Sequence, residues 1–300
     1  MLLNFFANLL LVSFLLSPHF GLVTTGNFLD DGVIGPQKKV SQSLGLVTSA
    51  TSALVIDRKT KKVLWSKNPD TVGPVASLTK LMTALVFLDN NPGWDETVLI
   101  NSQDQLNGGR VYIVPGDTIS IKDLFNLTLI ASSNEAAAAL ARSTGLSSEE
   151  FVSQMNERAQ LLGLEDTKFV EPSGLDPNNV STAADIAKLL NHAFSVDEII
   201  ETNQREEYIF TPVGSKISRA AQATNLLLNS FVNEGEYKIS GAKTGFIDES
   251  GYNLAMSVSK VDSSGEIILV LLGSETIESR WQDAKGLVDW TFHEYKWSDD

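Results

Sequence analysis

Ser77-Leu78-Thr79-Lys80-Leu81-Met82-Thr83-Ala84-Leu85-Val86-Phe87-Leu88 lies just beyond the breaker pair Gly73-Pro74. A run this apolar predicts a buried helix with Ser77 at its mouth. Ser77 and Lys80 stand at i and i+3 on one helical face, so the ammonium end can reach the hydroxyl. A serine hydroxyl needs a partner to take its proton before it becomes a nucleophile. The helix N-terminus adds a favourable field for a developing anion. Taken alone, the four residues from Ser77 to Lys80 read more simply as a capped helix with a surface lysine. The same spacing recurs at Ser257-Val258-Ser259-Lys260, in a stretch with strand character.

Upstream, Ala53-Leu54-Val55-Ile56 and Val63-Leu64-Trp65 flank the polar turn Asp57–Lys62 and predict a hairpin over residues 52–67. Downstream, Ser120 with Asp123, and Ser147 with Glu150, mark helix starts. The first of these helices ends at Ala131-Ser132-Ser133-Asn134, and an alanine-rich helix follows from Glu135 to about Ser143. Ser181 is the expected cap of a further helix carrying Ile186, Leu189 and Leu190. The last third returns to strands, roughly 237–246, 251–260 and 266–272. A closing helix over about 279–295 has Trp281, Ala284, Leu287 and Val288 at helical spacing. Strands at both ends with helices between them predict an α+β domain, its N- and C-terminal strands sharing one antiparallel sheet packed with helices.

Residues 1–25 form an N-terminal segment, apolar from Met1 to about Phe20, with a dense core at Leu9–Leu16 ended by Pro18. The run resembles the hydrophobic part of an export signal. No Lys or Arg precedes Lys38 and no small-x-small cleavage site is evident, so a cleaved signal peptide and an uncleaved membrane anchor both fit. Either places the rest of the chain in the periplasm or on the extracytoplasmic face of the cell membrane; a buried core helix is the alternative. Residues 26–46 read as a linker, 47–295 as the globular domain and 296–300 as a short tail.

Composition narrows the chemistry. The net charge of −14 argues against a nucleic-acid binder, which needs a basic face. Cysteine is absent, which removes disulfides, thiol catalysis and cysteine-metal sites. None of the three histidines, His19, His192 and His293, lies in a cluster or a recognisable motif. A histidine-based zinc site and a Ser-His-Asp triad are therefore both disfavoured. No metal or other cofactor is expected.

Three short motifs remain: Ser77-x-x-Lys80, Ser132-x-Asn134 and Lys243-Thr244-Gly245. Ser66-Lys67-Asn68 also fits Ser-x-Asn, but Lys-Thr-Gly occurs once. Their order and context are a helix start, an interhelical loop and a strand ending beside glycine. That trio resembles the serine D-alanyl-D-alanine carboxypeptidases, the low-molecular-mass penicillin-binding proteins of the β-lactamase/transpeptidase-like superfamily. The likeness extends to Phe169-Val170-Glu171-Pro172-Ser173-Gly174-Leu175 and to Gly251-Tyr252-Asn253, and covers about residues 47–295.

The resemblance implies roles for named residues. Ser77 attacks the peptide carbonyl between two D-alanines of a peptidoglycan stem peptide and is acylated, with Lys80 as proton acceptor. Lys80 must be neutral for this, so burial or a nearby cation, Lys243 being the candidate, has to lower its pKa. Backbone N–H groups of Ser77 and Phe246, beside Gly245, form the oxyanion hole. Ser132 relays a proton to the leaving amine and Asn134 holds the substrate amide. Lys243, Thr244 and Arg280 bind the terminal carboxylate, the plainer alternative for Arg280 being a surface ion pair. β-Lactams are expected as covalent inhibitors.

One departure bears on mechanism. Position 171 is Glu where the family usually has Asn, and a Glu-Pro pair here resembles the loop carrying the deacylating glutamate of class A β-lactamases. A β-lactamase using Glu171, and a wall-binding or β-lactam-sensing domain without turnover, are the competing readings.

Overall fold

In the computed structural model, which describes residues 35–298 other than 42, 44 and 107, strand alternation builds the centre of the molecule. Five strands form one antiparallel sheet: β1 (Ser52–Asp57), β2 (Val63–Lys67), β3 (Tyr237–Ile247), β4 (Gly251–Lys260) and β5 (Glu266–Ser274), in the order β3-β4-β5-β1-β2. The N-terminal hairpin therefore joins the C-terminal strands, with Ile56 opposite Ile268 and Leu54 opposite Val270. Successive side chains point to opposite faces. Ala53, Val55 and Leu269 enter one core cluster, whereas Leu54, Ile56, Ile268 and Val270 enter the other.

Helices cover both faces. They are α1 (Thr79–Asp89), α2 (Ile121–Leu129), α3 (Asn134–Ser143), α4 (Ser148–Leu161), α5 (Ala183–Ala193), α6 (Asp197–Asn203) and α7 (Ile277–Glu294). Helix α7 packs Trp281, Ala284, Leu287 and Val288 on the face with Val55 and Leu269. Helices α1 to α5 fill the opposite side. Every residue of α1 from Thr79 to Phe87 is buried, as expected of a helix apolar all round. That places Lys80 in the interior, where Ser77–Lys80 read in isolation suggested a surface lysine.

Capping follows the expected chemistry with two shifts. Ser120 accepts from the Asp123 N–H, and Ser147 and Glu150 form a reciprocal box. The cap of α5 is Thr182, not Ser181: Ser181 pairs with Gly73 in a two-residue strand, leaving Thr182 to accept from the Asp185 N–H. Helix α7 starts at Ile277, earlier than expected, because Thr276 caps it and Ser279 is the box partner. The hairpin of Glu207–Phe210 with Arg219–Gln222 was not anticipated.

The ends of the domain reach further than the sequence suggested. Gln37–Lys38, within the expected linker, pairs with Tyr295–Lys296. Trp297, within the expected tail, is buried and donates to the Asp57 carboxylate at 2.8 Å. The N-terminal segment 1–25 lies outside the described residues. Among the described residues no helix is long and apolar enough to cross a membrane.

Candidate active site

Ser77 sits in a 3₁₀ turn, Ala76–Leu78, that leads into α1. Ala76 has φ of 48° and Ser132 φ of 57°. Non-glycine residues in such conformations cost about 1 kcal/mol or more each and concentrate where function holds them. Two glycines let other elements press on this turn. A Cβ on Gly174 would lie 2.1 Å from the Ala76 carbonyl oxygen, and one on Gly245 would lie 3.1 Å from the Ser77 nitrogen. The 171–179 loop and the end of β3 thus close on the serine from two sides.

Lys80 is fully buried, one turn inside Ser77. Its Nζ contacts Ser77 Oγ at 2.9 Å and Asn134 Oδ1 at 2.7 Å, and donates to the Ser173 carbonyl. Asn134 Nδ2 donates to the Gly108 carbonyl, which fixes the amide with its oxygen toward Lys80. Asn134 is therefore engaged at both ends within the protein. Burial lowers the Lys80 pKa from 10.5 to about 7, against the upward pull of Glu171 and Glu135. The neighbouring ammonium is thus not the main cause of the shift.

Lys243 is the second buried lysine. Its Nζ donates to Ser132 Oγ at 2.7 Å and to the Thr244 carbonyl at 3.0 Å. Burial, then Lys80 and Arg280, hold it well below its ordinary value. Two ammonium groups sharing one dry site oppose each other's charge, which adds to the lowering at Lys243.

Arg280 makes no surface ion pair. It is buried, with its guanidinium 4.0 Å from the Trp281 ring centre and 5.4 Å from that of Tyr252. Its Nη1 donates to the carbonyls of Gly245 and Asn253, at 3.4 and 3.2 Å. Burial pulls its pKa down to about 10, which leaves it charged at neutral pH. Thr244 Oγ1 donates to Thr224 Oγ1 at 2.6 Å.

Ser77, Ser132, Asn134, Thr244, Gly245, Phe246 and Arg280 line one cleft of about 680 Å³, with Lys80 and Lys243 bonded to Ser77 and Ser132. All nine expected site residues converge. The decoys do not: Ser257 is a fully buried β4 residue donating to Glu266, and Ser66-Lys67-Asn68 ends edge strand β2. Groups that sequence reasoning passed over are the Ser173 and Gly108 carbonyls and Thr224. Backbone acceptors leave no mark in a sequence, and Thr224 stands in no motif.

Glu171 does not line this cleft. Its Oε2 accepts from Ser173 N–H and Oγ–H, both at 2.6 Å. Its Oε1 accepts from Gly174 N–H, from Asn179 Nδ2 at 2.7 Å and from Asp176 N–H at 3.4 Å. It lines a separate cavity of about 480 Å³ that does not include Ser77. A general base must reach the water it activates, and here both oxygens are occupied by their own loop.

Residues 37–276 match the sequence family described as D-alanyl-D-alanine carboxypeptidase. A D-alanyl-D-alanine endopeptidase of Pseudomonas aeruginosa is 34% identical over 257 residues, spanning 85% of this chain and 81% of that protein. The D-alanyl-D-alanine carboxypeptidase DacF of Bacillus subtilis is 30% identical over 258 residues, spanning 84% of this chain and 64% of its own length. Among solved structures, penicillin-binding protein D2 of Listeria monocytogenes in its cefotaxime-bound form superposes with a TM-score of 0.71 at 32% identity, covering 83% of this chain and 100% of that one. Matches of that extent leave one assignment, and the chain belongs to the D-alanyl-D-alanine carboxypeptidase family.

Proposed function

We propose that Ser77 is the nucleophile with which this serine-type D-Ala-D-Ala peptidase removes the terminal D-alanine of peptidoglycan stem peptides. The observation that carries the reading is the set of partners around Lys80 Nζ. The Asn134 amide oxygen and the Ser173 carbonyl can only accept hydrogen bonds. A neutral Lys80 therefore spends two N–H bonds on them and turns its lone pair toward the Ser77 hydroxyl. That is the orientation a general base needs.

From there the steps follow. Ser77 Oγ bonds to the carbonyl carbon between the two D-alanines while its proton passes to Lys80. The oxyanion lies against the N–H groups of Ser77 and Phe246, which the absence of a side chain at Gly245 lets approach each other. Collapse breaks the C–N bond, and Ser132 hands a proton to the departing amine, with Lys243 to restore it. Water then attacks the acyl carbon and breaks the ester bond; the Lys80 proton returns to Ser77 Oγ, and the proton lost by the water passes through Ser132 to Lys243. Thr244 and Arg280 hold the substrate carboxylate, and a carboxylate there favours the ammonium form of Lys243. A β-lactam, with a carboxylate beside its strained amide, fits the same groups and acylates Ser77. Such a reaction belongs outside the cytoplasmic membrane, with the N-terminal segment 1–25 as export signal or anchor.

The test is D-alanine release from a peptide ending in D-Ala-D-Ala, with loss of release in Ser77→Ala. No release from the wild-type chain would refute the proposal. A second reading, cleavage of D-alanyl cross-links within the wall, is favoured by the name of the Pseudomonas aeruginosa relative. Purified cross-linked dimers offered beside the linear peptide separate the two.

A further inference from the structure

Glu171 is a half-buried carboxylate that the acylation steps do not use, yet it is tied to the centre of the site. We propose that Glu171 is a positioning residue for Lys80, acting through the Ser173–Gly174 peptide group. The inference rests on the reading of Lys80 as the base. Its structural content is a chain of three bonded groups. Lys80 Nζ donates to the Ser173 carbonyl, and the N–H of the same peptide unit, on Gly174, donates to Glu171 Oε1. An anion on the N–H side of a peptide polarises it and strengthens its carbonyl as an acceptor. The carboxylate thus fixes one of the two acceptors that turn the Lys80 lone pair toward Ser77.

The surroundings make this chain rigid. Ser173 is fully buried and gives both its N–H and its hydroxyl to Glu171 Oε2. Asn179 gives Nδ2 to the same carboxylate and to the Glu171 carbonyl, and takes the Val170 N–H at 2.6 Å. The Asn179 carbonyl in turn accepts from Val75 N–H at 3.0 Å, two residues before Ser77. Thr83 Oγ1, one turn beyond Lys80, donates to the Pro172 carbonyl at 2.6 Å. Displacing the loop therefore displaces the acceptor of Lys80 and the turn of Ser77 together.

Charge adds a signature that packing alone lacks. The groups facing Lys80 are Ser77 from the 3₁₀ turn before α1, Asn134 and Glu135 from α3, Ser173 and Glu171 from the loop, and Lys243 from β3. Of these, Glu171 and Glu135 favour the ammonium form, Glu171 the more strongly. Removing the Glu171 charge makes Lys80 easier to deprotonate.

The experiment follows acylation of the purified full chain by benzylpenicillin across pH for wild type, Glu171→Gln and Glu171→Asp. Glu171→Gln is expected to acylate about tenfold more slowly on the plateau, with its acid limb displaced about one unit to lower pH. Glu171→Asp keeps the charge and shortens the reach, so its plateau falls while its limb stays. A Glu171→Gln limb at the wild-type pH would overturn the proposal, whatever the plateau. So would unchanged acylation with a longer-lived acyl-enzyme, which would make Glu171 the deacylating base. If Glu171→Gln does not fold, as judged by circular dichroism, Glu171→Asp decides: a full wild-type plateau overturns the proposal and a lowered one with the wild-type limb supports it. Failure of the wild-type chain to be acylated would refute the reading of Lys80 and Ser77 instead.

Discussion

Lys80 offers the sharpest test of the mechanism, because its pKa can be turned into a rate profile. Burial moves the group from 10.5 to about 7, which amounts to roughly 5 kcal/mol of bias against the ammonium form. At neutral pH about half of the molecules then hold a neutral amine, against roughly one in three thousand for an exposed lysine. The neutral form is the base, so activity is present above the pKa and lost below it. The rate of Ser77 acylation, followed with a fluorescent penicillin, is expected to level off above about pH 7 and to fall about tenfold for each unit below it. Lys80→Arg keeps a cation and its donors but cannot give up a proton at any accessible pH; acylation is expected to fall by about a thousandfold or more. A rate that is flat between about pH 5 and 8, or a Lys80→Arg enzyme near wild type, would refute the assignment of Lys80 as base.

Other substitutions read different parts of the site. Gly174→Ala puts a Cβ 2.1 Å from the Ala76 oxygen at a φ of +85°; it should cost about 3 kcal/mol or more, visible as a lowered denaturation midpoint. Gly245→Ala meets Val75 O at 2.9 Å and Ser77 N at 3.1 Å without a strained φ. It should leave a folded protein whose acylation is about a hundredfold slower. Asn134→Asp sets an anion against Lys80 Nζ, so the acid limb should move up by about one to three pH units. Arg280→Leu should raise KM for peptides with a free terminal carboxylate about ten- to a hundredfold and barely change KM for peptides ending in an amide.

How much of this could be read in advance depends on the physical origin of each feature. The helix of Ser77 was legible because its apolar run and the breaker before it are local signals. The shared sheet was legible because β1, β4 and β5 alternate into two buried faces and read as strands unaided. Lys80 on its own was misleading: i,i+3 spacing fixes a helical face but says nothing of whether that face is wet. Only the packing of α2, α3, α4 and α5 around α1 makes it dry. Arg280 shows the same limit, since its position in the first turn of a helix left a surface ion pair open beside carboxylate binding until its burial near Tyr252 and Trp281 is seen. The hairpin of 207–222 and the pairing of Gln37 with Lys296 went unread because short edge pairs carry too few residues for a period to emerge.

Glu171 shows where motif reading and geometry part. A Glu-Pro pair near a serine nucleophile reads as a water-activating base, and the pair is present. The direction in which a carboxylate points is decided by the donors offered to it, however, and here the loop offers five: Ser173 N–H and Oγ–H, Gly174 N–H, Asp176 N–H and Asn179 Nδ2. A carboxylate has about four lone-pair sites, so none is left for a catalytic water. Three of the five donors are backbone groups that any sequence could supply. Their convergence depends on Gly174 at φ +85° and on Asn179 closing the loop from eight residues away. The same side chain that could have removed the acyl group is thereby committed to holding the carbonyl that orients Lys80, and its chemistry is exerted one peptide bond away from the site.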